Sequence, residues 1–432
     1  MQKTDGGKDS GRSSALGAAS VRPRLLFLCQ TVPFPPDGGV WIRTYNVVRL
    51  LARRFELTML CFERAVASKQ GFSENGNAEE LRRYGLVEVF EIPQRHSGLR
   101  FVKDHASSLI RRRVFTRYLY ESGSFRRRLS HLLREQRFDL VHVDSLDLSG
   151  YLPMLMGRPV ICVHHNVESQ LLRRRATLEA SWLRRRYSSV QARLMEAEDR
   201  AWCPRVTLNV AVSPDDRTLL GTIAPSARCE VVPNGVDTEY FRPVPATAPG
   251  GERIIVCVGG TNWLPNRDAL LHFCADILPL IRRRAPGVKV MWIGACSDAD
   301  RQRFASEYGV ELTGYVPDIR PLVHKAGCYV VPLRLGGGTR LKIVDAWAMG
   351  KAVVSTSVGC EGLATRPGEN ILVADSDEDF AAATLRVLSD SALQSSVGAS
   401  GRRTAEMAYS WEAIAAPMEA LYLNVLEASV GK

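Results

Sequence analysis

Short apolar runs alternate with amphipathic helical patterns along almost the whole of this chain. The segment from Arg24 to Cys29 is an example, because it is apolar after its first residue and is followed by turn residues and then by a helical pattern. A strand buried on both faces of a parallel sheet gives such a continuous apolar run, and parallel strands need crossover helices between them. The alternation therefore predicts an α/β fold built on parallel sheets.

The scheme occurs twice, and a break separates the two copies. Predicted strands lie at residues 24–29, 56–62, 87–92, 139–143, 160–163, 207–212 and 230–232 before the break, and at 253–258, 288–293, 310–312, 328–331, 352–355 and 371–373 after it. The break, from Pro233 to Glu252, is rich in Pro and Gly and has no hydrophobic periodicity, as is typical of a connection. We therefore expect two Rossmann-like, doubly wound domains that face each other across a cleft.

The predicted organisation has a tail, two domains, a linker and a final helix. These are residues 1–21, a disordered tail; 22–235, the N-terminal domain; 236–252, the linker; 253–410, the C-terminal domain; and 411–432, a helix that crosses back to the N-terminal domain. The tail is rich in Gly, Ser and charged residues and lacks the apolar centre of a signal peptide. No apolar run approaches the ~20 residues of a membrane-spanning helix. These features predict a cytoplasmic protein.

The ten cysteines are scattered along the chain, and no two of them have the C-x-x-C spacing of a redox or zinc site. Several lie in apolar, strand-like runs, so we expect reduced and buried thiols. Cys162 with His164 and His165 resembles a metal-ligand cluster, but a strand followed by a polar loop explains these residues better. We therefore predict no metal.

Basic residues are concentrated in the first part of the chain. Residues 1–250 contain 38 Lys and Arg against 26 Asp and Glu, whereas residues 251–432 contain 19 against 20. The excess includes arginine triplets at residues 111–113, 126–128, 173–175 and 184–186. They indicate either solvated helix surfaces or a surface that meets anionic lipid headgroups, where each basic residue contributes ~1 kcal/mol. Because the triplets lack interleaved aromatics and a groove-binding motif, nucleic acid is not an expected partner.

The most unusual loop follows the predicted strand at residues 328–331. Residues 334–342 read RLGGGTRLK, and three consecutive glycines allow positive φ or the close approach of a ligand. Thr339 is a predicted N-cap, and residues 340–349 have the pattern of a helix. A helix N-terminus with bare amides beside Arg340 and Lys342 is a predicted anion site, most naturally for phosphate.

Two more loops follow predicted strands and are expected to face the same cleft. One has Gly38 and Gly39 at the start of a helix, and the other, at residues 164–169, reads HHNVES. Ligands of open parallel sheets bind at the carboxyl ends of the strands, where both loops lie. Neither domain has G-x-G-x-x-G after its first strand, so a dinucleotide-dependent dehydrogenase is disfavoured.

These loops, together with PNGVD at residues 233–237 and MGKAVVSTSVGCEGL at residues 349–363, resemble the family 4 retaining glycosyltransferases of the two-domain GT-B type. The resemblance extends from about Arg24 to Leu421 and is strongest in the C-terminal domain. Many bacterial members of this family build exopolysaccharides and other surface glycans. The resemblance implies a nucleotide-diphosphate-sugar donor held by the C-terminal domain, a glycan or lipid-linked acceptor held by the N-terminal domain, and no cofactor.

On the donor side, the resemblance implies that the leaving diphosphate is stabilised without a metal. Arg340 and Lys342 are the expected catalytic cations, and the expected donor contacts are Gly39, Asn262, Gly337, Gly338, Thr339 and Asp345. Family members usually have two glutamates eight positions apart, the second of which binds the donor ribose. Here Asp345 occupies the second position and Gly337 the first. The family's Arg and Lys after the first strand of this domain are replaced by GGTNWLPNRDA at residues 259–269.

On the acceptor side, the resemblance places a histidine near the donor sugar. His165 aligns best with that histidine and is the expected catalytic residue, with His164 as the alternative. The expected acceptor contacts are Arg43, Asp144, Ser145, His164 and Asn166. Glu168 extends the same loop or caps the helix that follows.

Other enzyme types remain as alternatives. Two D-x-D pairs, Asp298 with Asp300 and Asp375 with Asp377, raise the metal-dependent GT-A type, but both precede helical patterns, where Asp is a common cap. A nucleotide-sugar epimerase would need convergent acid and base carboxylates in the cleft. A non-catalytic nucleotide-sugar-binding protein would keep the same fold. The expected location is the cytoplasm, either free or on the cytoplasmic face of the inner membrane.

Overall fold

In the computed structural model, which describes residues 22–63, 74–179, 181–244, 253–335 and 340–430, the chain forms two parallel sheets. The strands are β1 Arg24–Cys29, β2 Glu56–Phe62, β3 Gly85–Phe90, β4 Leu140–Val143, β5 Val160–His164, β6 Leu208–Ala211, β7 Cys229–Val231, β8 Ile254–Val258, β9 Lys289–Ile293, β10 Glu311–Gly314, β11 Cys328–Val331, β12 Val353–Ser355 and β13 Leu372–Val373. Their orders are β3-β2-β1-β4-β5-β6-β7 in the first sheet and β10-β9-β8-β11-β12-β13 in the second. All strands pair in parallel, which confirms the predicted pair of α/β domains.

Helices connect the strands in both sheets. In chain order they are α1 Gly39–Leu51, α2 Glu74–Arg82, α3 Gly98–Ile110, α4 Phe115–Leu119, α5 Gly123–Glu135, α6 Glu168–Leu178, α7 Trp182–Trp202, α8 Pro214–Ile223, α9 Leu264–His272, α10 Leu278–Arg284, α11 Asp298–Tyr308, α12 Arg320–Lys325, α13 Leu341–Ala348, α14 Asp377–Ser389, α15 Ser391–Thr404 and α16 Trp411–Val430. Short 3₁₀ segments lie at Pro93–His96, Leu146–Met154 and Val358–Cys360, and π-helical turns at Phe273–Ile277 and Ala405–Tyr409. Serines cap several of these helices, as Ser213 does for α8 by accepting from the Asp216 amide.

The first sheet is buried on both faces, and successive residues of β1 contribute to different cores. Leu25 and Phe27 pack on the side that holds α1 and α16, whereas Leu26 and Leu28 pack on the other side. Helix α16 therefore belongs to the first domain, although it follows the second in sequence. Among the described residues, no helix has the length and hydropathy needed to cross a bilayer.

All ten cysteines are free, and eight of them are buried. Their burial agrees with the expected reduced thiols. The predicted tail, residues 1–21, lies outside the described residues, as do residues 245–252 of the predicted linker.

The two segments that join the domains lie side by side. Val236 forms an isolated parallel bridge with Ser410, and the Val236 amide donates to the Tyr409 carbonyl at 2.7 Å. The indole of Trp411 covers Gly235, where an added Cβ would lie 2.5 Å from the indole Cδ2. Glycine is required at residue 235 because the ring occupies the space that a side chain would fill.

We expect Gly235→Ala to lower the free energy of unfolding by about 1–3 kcal/mol, because it overpacks this junction. Gly221→Ala in α8 is the matched control, since an added Cβ there meets nothing within 4 Å and Ala is a better helix former than Gly. Urea denaturation of both variants provides the comparison. A Gly235→Ala protein as stable as the Gly221→Ala protein would contradict the tight contact with Trp411.

Candidate active site

The N-terminal turn of α1 approaches the N-terminal turn of α13 across the cleft. An added Cβ at Gly39 would lie 3.6 Å from Cδ1 of Leu341, so the two domains are in near contact at this point. A second contact joins the two domains, because Arg174 of α6 forms a bidentate pair with Glu361, with distances of 2.9 and 2.8 Å. The loops that follow the strands of the two sheets therefore face each other, as the sequence predicted.

Two cations lie at the start of α13. The Arg340 side chain is buried, donates from Nη2 to the Val358 carbonyl at 3.2 Å and lies 3.6 Å from Oε2 of Glu361. Burial lowers the pKa of Arg340, and the charge of Glu361 opposes that shift. Lys342 donates from Nζ to Oδ1 of Asn266 at 2.7 Å, and burial lowers the pKa of its amine as well. Two desolvated cations beside a helix N-terminus suit an anionic ligand.

Asn266 is a residue of the candidate site that the sequence analysis did not single out. It lies in the loop that replaces the family's Arg and Lys, and its amide nitrogen also donates to the Gly260 carbonyl at 3.1 Å. An added Cβ at Gly259 would lie 2.7 Å from the Asn266 side chain, so the loop packs closely around it. Asn266 therefore links this loop to Lys342.

Asp345 lies one turn further along α13. Its carboxylate is partly buried, and no hydrogen bond to it is found within the described parts of the chain. Burial raises the pKa of this carboxyl group to about 7. An acceptor without a protein partner is available to the hydroxyls of a ligand, as expected for a ribose contact.

A buried network surrounds His165 in the first domain. Its Nε2 lies 3.3 Å from Oδ1 of Asp144, and Thr44 of α1 donates to the same carboxylate at 3.0 Å. His142 lies 3.5 Å from Asp144 and bonds through Nδ1 to the Tyr422 hydroxyl of α16 at 2.8 Å. Burial disfavours the charge of Asp144, but His165 and His142 outweigh this and hold its pKa well below the ordinary value. Asp144 is therefore a carboxylate partner of His165.

Three of the expected acceptor contacts have other surroundings in the structure. Asp144 is only 2% exposed, so it is positioned to contact the His165 side chain and not the acceptor. Arg43 is equally buried and donates from Nη1 to the Val232 and Pro233 carbonyls and to Oδ1 of Asn234, so it joins α1 to the interdomain connection. Burial lowers its pKa to about 10.

His164 is the third of these residues. Its Nε2 lies 3.0 Å from Oδ1 of Asn209 and 3.9 Å from Sγ of Cys203, the residue after α7. Burial lowers the pKa of His164 to about 4, so the ring is neutral. The ring is directed into the protein core, so the structure gives no support to the predicted contact between His164 and the acceptor.

The remaining predicted residues line the cleft less tightly. Ser145 caps the segment Leu146–Met154 by accepting from the Asp147 amide at 3.1 Å. Asn166 is partly buried and donates to Glu168 at 3.3 Å. Asn262 is exposed in the turn before α9. The predicted donor contacts Gly337, Gly338 and Thr339 lie outside the described residues.

The D-x-D carboxylates have protein partners. Asp300 forms a bidentate pair with Arg267, at 2.8 and 3.0 Å, and Asp375 accepts from the Ser357 amide. Asp377 bonds to His272 at 2.6 Å. A further cluster of possible ligands, formed by His164, Asp199 and Cys203, is fully buried. These contacts explain the Asp residues without a metal, and the metal-free site stays a prediction.

Two family models match this chain. The model described as Glycosyltransferase Family 4 matches residues 37–240, and the model described as Glycosyl transferases group 1 matches residues 252–390. Together they cover both of the domains seen in the structure.

Several curated proteins are similar in sequence. The D-inositol 3-phosphate glycosyltransferase of Rhodococcus opacus is 28% identical over 205 residues, which are 43% of this chain and 45% of that protein. The GDP-mannose-dependent alpha-(1-6)-phosphatidylinositol monomannoside mannosyltransferase of Mycobacterium tuberculosis is 28% identical over 217 residues, 45% of this chain and 55% of that protein. The chain thus spans about half the length of these two relatives. The MMP alpha-(1→4)-mannosyltransferase of Mycolicibacterium hassiacum is 28% identical over 322 residues, 70% of this chain and 75% of that protein.

Solved structures show the same architecture. HepE of Anabaena in complex with UDP has a TM-score of 0.65 at 13% identity, covering 93% of this chain and 100% of that one. Sucrose-phosphate synthase of Thermosynechococcus elongatus has a TM-score of 0.64 at 18% identity, covering 94% of this chain and 100% of that one. The likeness over both domains confirms the predicted GT-B fold.

Proposed function

We propose that this chain is a family 4 glycosyltransferase, a proposal that the family models matching its two domains support, and that it moves a sugar from a nucleotide-diphosphate-sugar to a glycan or lipid-linked acceptor with retention of configuration. The observation that carries the proposal is the pair of cations at the start of α13, the buried Arg340 and the partly buried Lys342. Cleavage of the donor leaves a nucleoside diphosphate, and donors aimed at that developing charge provide the main electrostatic stabilisation.

The residues around the cations have complementary roles in this reaction. Asp345, one turn further along α13, accepts hydrogen bonds from the donor ribose. His165 approaches the donor sugar from the first domain, and Asp144 holds the imidazole in position. The departing phosphate oxygen takes the acceptor proton on the leaving-group face, so the reaction requires no carboxylate nucleophile and no metal.

The proposal extends to the acceptor and its location. The relative from Mycobacterium tuberculosis is named for a phosphatidylinositol acceptor, and a relative from Klebsiella pneumoniae is an uncharacterised protein of a cps region, 24% identical over 131 residues. The first name supports a lipid-linked acceptor, and the second supports a role in surface-polysaccharide synthesis. The ten free cysteines suit the reducing cytoplasm, so we place the reaction at the cytoplasmic face of the inner membrane.

Release of nucleoside diphosphate from a panel of donors tests the proposal. The panel includes GDP-mannose and UDP-glucose, with a membrane lipid extract as the source of acceptor and product mass spectrometry as the readout. We expect one donor to be consumed, an added hexose in a lipid product, a retained anomeric configuration by NMR, and unchanged activity in EDTA. Binding without turnover of any donor would favour a non-catalytic binding protein, and conversion into another nucleotide sugar would favour an epimerase.

Asp345 gives the donor site a pH dependence. Its pKa is raised to about 7 by burial, so the carboxylate gains its charge as the pH rises through that value. An ionised carboxylate is the stronger hydrogen-bond acceptor, and we therefore expect the donor to bind several-fold more tightly at about pH 8 than at about pH 6.

Calorimetry with the intact nucleotide sugar measures this effect, because its diphosphate diester has no group that titrates near neutral pH. Asp345→Asn is the control. It removes the titration of Asp345 but of no other group, and it should abolish the pH dependence of donor affinity. A wild-type dependence that persists in Asp345→Asn would assign the effect to another residue.

A further inference from the structure

Helix α3 exposes its apolar side chains, and the two residues that it buries are polar. Exposed apolar residues at helical spacing are Leu99, Val102, Ala106, Leu109 and Ile110, and Phe101 and Lys103 are exposed beside them. Leu99 is 87% exposed and Ile110 is 81% exposed, whereas the residues buried against the protein are Asp104 and Ser108. A surface helix of a globular protein normally has the opposite arrangement. An apolar stripe directed outward indicates a surface that meets an apolar partner.

Polar contacts hold α3 in this orientation. Asp104 pairs with Arg100 at 2.9 Å and accepts from Gln94 at 3.3 Å. Ser108 donates to the Arg113 carbonyl at 2.7 Å and accepts from Gln191 of α7 at 2.9 Å. These contacts provide hydrogen-bond partners for Asp104 and Ser108, and they fix the rotation of α3 that directs its apolar stripe outward.

The start of α7 continues the same surface. His105 of α3 bonds to Tyr187 of α7, which lies five residues after Trp182 in the helix. Trp182 is 69% exposed, and its neighbour Leu183 is 60% exposed. Because a helix rises about 1.5 Å per residue, Trp182 lies within roughly 8 Å of Tyr187 along the axis of α7. The exposed stripe of α3 together with Trp182 and Leu183 is here called the apolar ridge.

Arginines without carboxylate partners border the apolar ridge. Arg111 and Arg112 follow its last residue on α3, and Arg184 and Arg186 follow Leu183. All four are exposed, and none forms an ion pair with the part of the chain that the structure describes.

Members of the other arginine triplets differ in this respect. Arg126 pairs with Glu121 and Arg128 with Glu88, and residues 173–175 all pair with glutamates. Most arginines of these two triplets are therefore paired with carboxylates within the protein. The four arginines beside the apolar ridge, in contrast, form no ion pair within the described residues.

We propose that the apolar ridge docks on an anionic lipid bilayer, with its side chains in the headgroup region and Arg111, Arg112, Arg184 and Arg186 on the lipid phosphates. The apolar stripe with a basic border matches a membrane interface, where buried apolar area and attraction to anionic lipids add together. The inference rests on the proposed membrane location of the reaction. It adds a defined surface and an apolar contribution to the electrostatic attraction that the charge distribution predicts.

Vesicle sedimentation with the full chain tests the docking surface without any measurement of transfer, so it can fail independently of the proposed activity. The vesicles contain phosphatidylcholine with or without phosphatidylglycerol. We expect the protein to bind the anionic vesicles, and we expect the bound fraction to decrease when the salt concentration is raised from about 0.1 M to about 1 M. Some binding should remain at high salt because salt does not screen the apolar contribution. A blue shift of tryptophan fluorescence that is absent in Trp182→Phe should accompany binding.

Matched variants separate the two contributions. Leu99→Ser with Ile110→Ser should lower the vesicle partition coefficient roughly tenfold at both salt concentrations, whereas Met407→Ser, at an exposed apolar residue of the second domain, should not. Arg111→Ser with Arg112→Ser should lower it roughly tenfold at low salt only, and the exposed pair Arg283→Ser with Arg284→Ser should not.

Three results would overturn the proposal. They are equal binding to neutral and anionic vesicles, the same loss from the control variants as from the ridge variants, and concentration-dependent dimerisation that Leu99→Ser with Ile110→Ser abolishes. The last result would show that a second copy of the chain covers the ridge. Thermal unfolding of each variant shows whether a loss of binding reflects a loss of fold.

Discussion

Replacing Arg340 or Lys342 with Ala is expected to lower kcat about 100-fold or more, which corresponds to about 3 kcal/mol of lost transition-state stabilisation. Both side chains lie in a desolvated site, where Arg340 lies 3.6 Å from Glu361 and Lys342 bonds to the neutral amide of Asn266. In such a site a cation interacts strongly with the diphosphate that forms as the sugar leaves in the proposed reaction.

The measurement is steady-state release of nucleoside diphosphate, compared with calorimetric affinity for the donor. A loss in kcat larger than the loss in donor affinity would indicate action in the transition state. Arg303→Ala is a suitable control, since this exposed cation of α11 pairs with Glu307 in the same domain. Unchanged kinetics in both Arg340→Ala and Lys342→Ala would remove the basis of the proposed function.

The second large effect is expected at the network behind His165. His165→Ala should lower kcat roughly 100-fold, and Asp144→Asn roughly tenfold or more, because the imidazole loses its ionised partner. The two losses should not add: once His165 is absent, Asp144→Asn should cost little further activity. Additive losses would show that Asp144 does not act through His165.

Thr44 allows a milder test of the same network. Thr44→Val removes the hydroxyl that donates to Asp144 and keeps the shape of the side chain, whereas Thr44→Ser keeps the hydroxyl. We expect a lower kcat in the first variant and nearly wild-type activity in the second. Circular dichroism and thermal unfolding distinguish a shifted imidazole from a damaged fold, and equal losses in both variants would indicate a packing role only.

The strand pattern could be predicted from the sequence because a buried parallel strand leaves a continuous apolar run. Each strand expected in the two sheets is present, with β3 beginning two residues before its predicted start. The start of α13 was also expected near Arg340. These features depend on local sequence, where apolar runs and turn residues carry the signal.

The directions of the site side chains were harder to predict, although strand alternation and helix spacing in the sequence indicated two of them. Val160 and Cys162 pack on the side of the sheet where α7 lies, so alternation along β5 directs His164 to that side as well. Arg43 is four residues before the buried Val47 on α1, which places it on the inner face. By contrast, the pairs Asp144 with His165 and Arg174 with Glu361 join distant segments, and only the packed fold brings them together.

Helix α16 has a consequence for how the protein is made. It supplies Trp411, Ile414, Met418 and Tyr422 to the core of the first domain, and Tyr422 also completes the bond to His142. During synthesis the segment that follows residue 410 leaves the ribosome after the whole second domain. The second domain can therefore fold on the ribosome as a unit, whereas the first must wait with an open core until α16 emerges. For this protein we therefore expect the second domain to complete its fold before the first, which reverses the usual N-to-C order of domain folding.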